Sequence, residues 1–267
     1  MRILCFLFLI LTAACSSGNS TRTSTHSHSV LFVGNSLTYV GNTPAVFDAL
    51  AHANGVEISS DMIVKGGATL TQRFNDGSIA RALAAKRYTA IVLQERGGDL
   101  LCSFGPNSCS DSRQTIQAIV ALAKKAGAKT YLLGTYQDNP AASVSLVAAE
   151  SAAAAEAGIP YLEISQKLQT LRTASPALGW FASDGMHPGP ALVLLNATIL
   201  HQALLGNPPK PNAFTVNAPI YGTTSGLTES VRNAEDPPPL ATTPISIEYP
   251  ASALQTLLRL LDARTGS

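Results

Sequence analysis

Val30-Leu31-Phe32-Val33-Gly34-Asn35-Ser36-Leu37-Thr38 joins a short apolar run to a glycine, an amide and a serine. Four consecutive apolar residues stopped by turn formers read as a strand buried on both faces, the kind found in parallel sheets. The carboxyl ends of such strands are where open α/β sheets bind ligands, so the serine hydroxyl falls where chemistry is expected. Gly-Asn-Ser also makes an ordinary turn. What lifts it above one is a second segment far downstream, Asp184-Gly185-Met186-His187-Pro188, which pairs an acid with a histidine.

Outward from the first run, apolar segments alternate with alanine-rich ones, a βα pattern that predicts a parallel sheet. The expected strands are Ser29–Val33, Glu57–Val64, Ala90–Gln94, Lys129–Thr135 and Pro160–Glu163. The expected helices are Thr43–Asn54, Ser78–Ala85, Ser112–Ala126, Ala141–Ala157, Gln166–Ala174 and Pro190–Leu205. Gly55, Gly127, Gly158 and Gly206 each stand where a helix would stop. From Asn207 to Pro250 the chain is rich in Pro, Thr, Asn and Ala, and reads as an extended or partly mobile surface segment. A last helix, Ala251–Ala263, aligns Leu254, Leu257, Leu258 and Leu261 as a stripe that docks on the main domain. Its polar face is short and scarcely basic, which disfavours a membrane-surface role.

The 267 residues suffice for one α/β domain with accessory segments, and a net charge of +1 gives no electrostatic footprint for nucleic acid. The first residues read as a targeting segment: Arg2, an apolar stretch Ile3–Leu11, then Ala13-Ala14. The apolar stretch is too short to span a bilayer as a mature helix. Leu11-Thr12-Ala13-Ala14-Cys15 resembles a bacterial lipoprotein cleavage box, with the leucine one place further from the cysteine than usual. The expected organisation is a signal segment over 1–15 that leaves a lipid-bearing Cys15, a flexible tether over 16–29, a main domain over 30–206, and an extension over 207–267. Such a chain would be held at the cell envelope or secreted. Export makes Cys102 and Cys109 an expected disulfide, closing the loop around Ser103–Ser108. Two cysteines at this spacing without a nearby histidine do not make a zinc site.

A serine becomes a nucleophile only when a base takes its proton and a third group orients that base. Of the five histidines, His26 and His28 fall in the expected tether, while His52 and His201 fall in helices. His187 alone follows an acid, Asp184, at loop spacing, and Pro188 extends its backbone. The alternative is a polar loop that merely starts a helix. An oxyanion also needs donors. The Ser36 N–H is one, and Gly66-Gly67 at the end of the second strand permits close backbone approach. The spacing of Lys65-Gly66-Gly67-Ala68-Thr69 is wrong for a phosphate-binding loop. Gln94 can supply a side-chain amide, or serve as a strand end bonded to loop backbone. Arg96–Arg113 and Leu70–Gly77 are expected to rim the site, with Phe104 and Phe74 as apolar wall or packing anchors.

These blocks, in this order and each at a strand end, resemble the SGNH/GDSL hydrolase family over roughly Val30 to Gly206. Gly34-Asn35-Ser36-Leu37 resembles the nucleophile block, with Asn35 where many members have aspartate. Gly67 in Gly-Ala-Thr resembles the oxyanion glycine, and Asp184-x-x-His187 the final block. The third block, Leu93-Gln94-Glu95-Arg96-Gly97-Gly98-Asp99, departs from the usual Gly-x-Asn-Asp and is closer to secreted bacterial members reading Leu-Gln-Glu. Asp99 stands at the nominal asparagine position, where a carboxylate would repel an oxyanion, so Gln94 is the expected donor. The resemblance implies a three-layer α/β/α sandwich around a roughly five-stranded parallel sheet, flavodoxin-like in type. It also implies a serine esterase with Ser36, His187 and Asp184 as triad, acting on small-molecule or carbohydrate esters without metal or cofactor. Acyl transfer to an envelope polysaccharide would use the same triad. A binding lipoprotein that had lost catalysis is the alternative from outside the enzymes.

Overall fold

The opening apolar run lies at the middle of the sheet as β1 (His28–Gly34), followed directly by the single-turn helix α1 (Ser36–Tyr39). The computed structural model describes residues 28–262. The targeting segment, Cys15 and the tether residues before His28 lie outside the described residues. His28, expected in the tether, is instead the first residue of β1 and pairs with Ile58.

The chain then alternates: α2 (Thr43–Ala53), β2 (Ile58–Lys65), α3 (Leu70–Asn75), α4 (Ser78–Ala85), β3 (Ala90–Leu93), α5 (Ser108–Lys125), β4 (Lys129–Leu133), α6 (Pro140–Ala157), β5 (Tyr161–Leu162), α7 (Ser165–Ala174) and α8 (Pro190–Leu205). A tail follows with β6 (Phe214–Val216), β7 (Thr228–Asn233), β8 (Ile247–Tyr249) and α9 (Ala251–Asp262). β1 pairs in parallel with β2 and β3, β3 with β4, and β4 with β5. The order β5-β4-β3-β1-β2-β7 turns back on itself beside β1, which makes the carboxyl end of β1 the topological switch point.

The strand period of two explains the three layers. Val30, Phe32, Met62, Val64, Val92, Tyr131 and Leu133 face one helical layer, where α2, α7, α8 and α9 pack. Leu31, Val33, Ile63, Ile91, Leu93 and Leu132 face the other, against α3, α4, α5 and α6. Each fully buried aliphatic side chain contributes about 1.5–3 kcal/mol, so both faces must be covered for the fold to persist.

The sheet has six strands rather than the expected five. β7, from the segment expected to be extended or mobile, pairs antiparallel with β2 at the sheet edge. Its alternation is hidden because it is mostly polar: an edge strand carrying Glu229 and Arg232 lacks the apolar run that marks a central one. β6 and β8 pair separately with each other, and α9 docks through Leu254 and Leu257. The two helices α1 and α3 were not expected, being shorter than periodicity resolves. α5 begins at Ser108, before its expected start at Ser112.

Candidate active site

Ser36 occupies the first position of α1, immediately beyond β1. Asn35 caps that turn, its Oδ1 accepting from Leu37 N–H at 3.0 Å. The first N–H groups of a helix have no partner within it, so the Ser36 N–H points outward unpaired by the helix. The turn is pinned from below: Thr38 Oγ1 donates to Gln94 Oε1 at 2.7 Å. Gly34 makes room for this bond, since a Cβ there would stand 2.2 Å from Thr38 Oγ1.

Gly67 lies in the turn after β2 with φ +65, the left-handed region that glycine tolerates. Its neighbours use their amides elsewhere, Gly66 N–H donating to Leu227 O and Ala68 N–H to Lys65 O. Among the described residues the Gly67 N–H has no backbone partner.

The loop Phe181–Pro188 folds back on itself, with Ala182 N–H donating to His187 O at 2.9 Å. Asp184 Oδ1 accepts from the N–H groups of Met186 and His187, both at 3.0 Å, while Oδ2 meets His187 Nδ1 at 2.6 Å. The His187 backbone N–H, its ring and the Met186 N–H together hold the Asp184 carboxyl down at about 2. With Nδ1 donating to that carboxylate, Nε2 is left as the acceptor on the other side of the ring. Tyr136 steadies the loop from beneath, its hydroxyl donating to Met186 O at 3.0 Å.

Ser36, Gly67 and His187 line one open cavity of about 400 Å³ at the carboxyl ends of the strands. Ser36 and His187 are not hydrogen-bonded to each other in this structure. Catalytic contacts in unliganded sites are often loose and tighten around substrate.

Gln94 does not join them. It is buried, and its amide is engaged at both ends, accepting from Thr38 and donating from Nε2 to Gly134 O at 3.3 Å. The expected side-chain oxyanion donor is therefore a strut between the β1, β3 and β4 ends. Asp99 is likewise occupied, bound by Arg96 through Nε and Nη2 at 2.8 and 3.0 Å. The Arg96 guanidinium carbon sits 3.7 Å over the Phe104 ring, and both residues line the cavity. The Cys102–Cys109 disulfide is present, with Cα atoms 4.7 Å apart, and anchors the loop bearing Phe104 to the first turn of α5. Phe74 belongs to α3 and packs against the core on that face of the sheet, and Leu70–Gly77 does not border the cavity. The wall that sequence reasoning missed is Tyr136, Gln137 and Asp138, just beyond β4, and Phe181. For Tyr136, Gln137 and Asp138, position after a strand end was the available signal. Among the described residues, no group of three or more His, Cys, Asp or Glu is placed to hold a metal ion.

Two buried carboxylates brace the strand ends behind the cavity. Glu95 accepts three hydrogen bonds that pull against a carboxyl pushed up by burial. Glu150 Oε1 accepts from Thr135 N–H at 2.9 Å and Thr135 Oγ1 at 2.7 Å, and Oε2 from Tyr161 OH at 2.8 Å. Burial pushes the Glu150 carboxyl from 4.5 up to about 7. A carboxyl raised on folding stabilises fully only below its unfolded value, and that stability is lost as pH rises through the folded one. Glu150→Gln keeps Oε1 for Thr135 and removes the titration. Its stability relative to the wild type is expected to improve by about 3 kcal/mol between pH 4.5 and pH 8, read from denaturant midpoints. A gap independent of pH would contradict this.

No protein-family description and no curated protein matches the chain. Solved structures do. A DUF4886 family protein from Bacteroides uniformis has a TM-score of 0.52 at 16% identity, covering 68% of this chain and 84% of that one. The acetylxylan esterase Axe2 of Geobacillus stearothermophilus has a TM-score of 0.51 at 15% identity, covering 67% of this chain and 94% of that one. The psychrotrophic esterase EstA of Pseudoalteromonas sp., in a form inhibited by monoethylphosphonate, has a TM-score of 0.50 at 16% identity, covering 68% and 100%. The chain therefore has the three-layer α/β/α fold of GDSL-like lipases and esterases.

Proposed function

We propose that this chain is an exported serine esterase that hydrolyses carboxylic esters through Ser36, His187 and Asp184. His187 Nε2 takes the Ser36 proton as Oγ attacks the ester carbonyl. The N–H groups of Ser36 and Gly67 stabilise the oxyanion. Collapse expels the alcohol, protonated by His187, and leaves an acyl group on Ser36. Water, deprotonated by His187, then attacks the acyl-enzyme, and the acid departs as Ser36 recovers its proton. Asp184 holds the ring by Nδ1 and offsets the imidazolium charge.

The observation that carries this reading is that Ser36, Gly67 and His187 border one cavity, with Asp184 Oδ2 2.6 Å from His187 Nδ1. The fold shared with Axe2 and EstA agrees with ester chemistry. The disulfide agrees with export to an oxidising compartment, where Cys15 would carry the lipid anchor. Arg96 lines the cavity but is neutralised by Asp99, so an uncharged ester is favoured over an anionic one.

A panel of p-nitrophenyl acetate, butyrate and longer esters tests the reaction class. Short uncharged esters should be hydrolysed by the purified chain well above the buffer rate. Failure to turn over any member of the panel would contradict the assignment.

A further inference from the structure

We propose that Glu95 is a positioning residue, whose carboxylate sets the place of the oxyanion loop that presents Gly67. This inference rests on the esterase reading above. Glu95 follows a strand, Ala90–Leu93, that is buried throughout, and is itself 1% exposed. An acid at such a place is costly unless its oxygens are bonded, and here both are. Oε1 accepts from Leu70 N–H at 3.0 Å and from Arg96 N–H at 2.9 Å, and Oε2 from Ser112 Oγ at 2.8 Å. One side chain thus ties the start of α3, the cavity wall after β3, and α5.

The need for such a tie follows from Gly67. Gly67 is exposed, and a Cβ placed on it would find nothing within 4 Å, so no side chain at this position could wedge it into place. Its location is fixed by what grips the chain on either side. Gly66 N–H to Leu227 O ties it to the residue that leads into β7, and Ala68 N–H to Lys65 O ties it to the end of β2. Leu70 N–H to Glu95 is the bond that holds the outgoing end against β3. Thr69, between them, belongs to the capping box of α3, with Gln72 as its partner. Glu95 does not line the cavity, so it acts through Gly67 rather than on substrate. An oxyanion donor works only when aimed at where charge develops, and a misplacement of about 1 Å can cost on the order of a hundredfold in rate.

The test compares E95A, E95Q, E95D and S112A in the full chain by p-nitrophenyl butyrate kinetics, inhibition by butaneboronic acid, and thermal midpoint. The tetrahedral boronate on Ser36 presents an oxygen to the oxyanion donors. E95A should lower kcat by about 30- to 100-fold, weaken the boronic acid by a similar factor, and leave KM within about threefold. E95Q keeps an acceptor for Leu70 and Arg96 and should rescue most of that loss. E95D draws the acceptor back by one methylene and should lose about tenfold in kcat, which decides the matter if E95A does not fold. S112A should follow the same direction by a few-fold. Folded E95A or E95D with wild-type kcat, or a loss of kcat without loss of boronic-acid affinity, would overturn the proposal. Activity persisting in S36A would overturn the esterase reading beneath it instead.

Discussion

Ser36→Ala should reduce kcat/KM for p-nitrophenyl butyrate by about 10⁴-fold or more, a transition-state loss of about 5 kcal/mol or greater. The size follows from the role: without the hydroxyl there is no acyl-enzyme, and only the oxyanion donors and binding groups remain. The same substitution should leave folding nearly untouched. Ser36 is half-buried, the cap of α1 belongs to Asn35, and the turn is pinned through Thr38 to Gln94. A change in stability within about 0.5 kcal/mol is expected, as for substitutions away from caps and cores. Loss of activity accompanied by unfolding would instead make Ser36 a structural residue.

Asp184→Asn should lower kcat by about 10²- to 10³-fold with KM little changed. Asparagine keeps an Oδ1 to accept from the Met186 and His187 N–H groups, so the loop should persist. Its Nδ2 then meets His187 Nδ1 as one donor facing another, which disfavours the tautomer with Nε2 free to accept. The expected loss falls short of that for a fully buried orienting acid because the Asp184 side chain is 32% exposed, and water can partly replace it. The direction of its titration is also fixed. A carboxyl depressed on folding contributes stability above its unfolded value of 3.8, and loses it as pH falls through the folded value of about 2. Asp184 therefore stays ionised through mildly acid pH, and an acid limb of kcat/KM above pH 4 should survive in Asp184→Asn. Its disappearance in that variant would assign the limb to Asp184 and contradict this account.

The parts legible in sequence were those with strong local signatures. The run Val30–Val33 announced a buried strand, and the acid and histidine of Asp184–His187 announced a pair because three-residue spacing across a turn brings them together. β7 was hidden because an edge strand can be polar on both faces, so neither alternation nor an apolar run marks it. Gln94 was misread for a different reason. Residue type and strand-end position were right for a donor, but whether an amide faces the cavity depends on Thr38 and Gly134, which come from other strand ends. Tyr136, Gln137 and Asp138 follow β4 as an ordinary polar stretch, and only the parallel order of β1, β3 and β4 brings them to Ser36. Glu95 shows the same limit: two of the three segments it ties together, at Leu70 and Ser112, are distant in sequence, and nothing in the strand Ala90–Leu93 foretells them.

The proposed chemistry stands on Ser36 as the activated nucleophile. Its most direct measurement is labelling of the full chain with a fluorophosphonate, followed by peptide mass mapping. Phosphorus should form its bond to Ser36 Oγ as fluoride leaves, giving one adduct on the peptide containing Gly34-Asn35-Ser36. That adduct should vanish in S36A and form much more slowly in H187A. An adduct on another residue, or labelling that persists undiminished in S36A, would contradict the account.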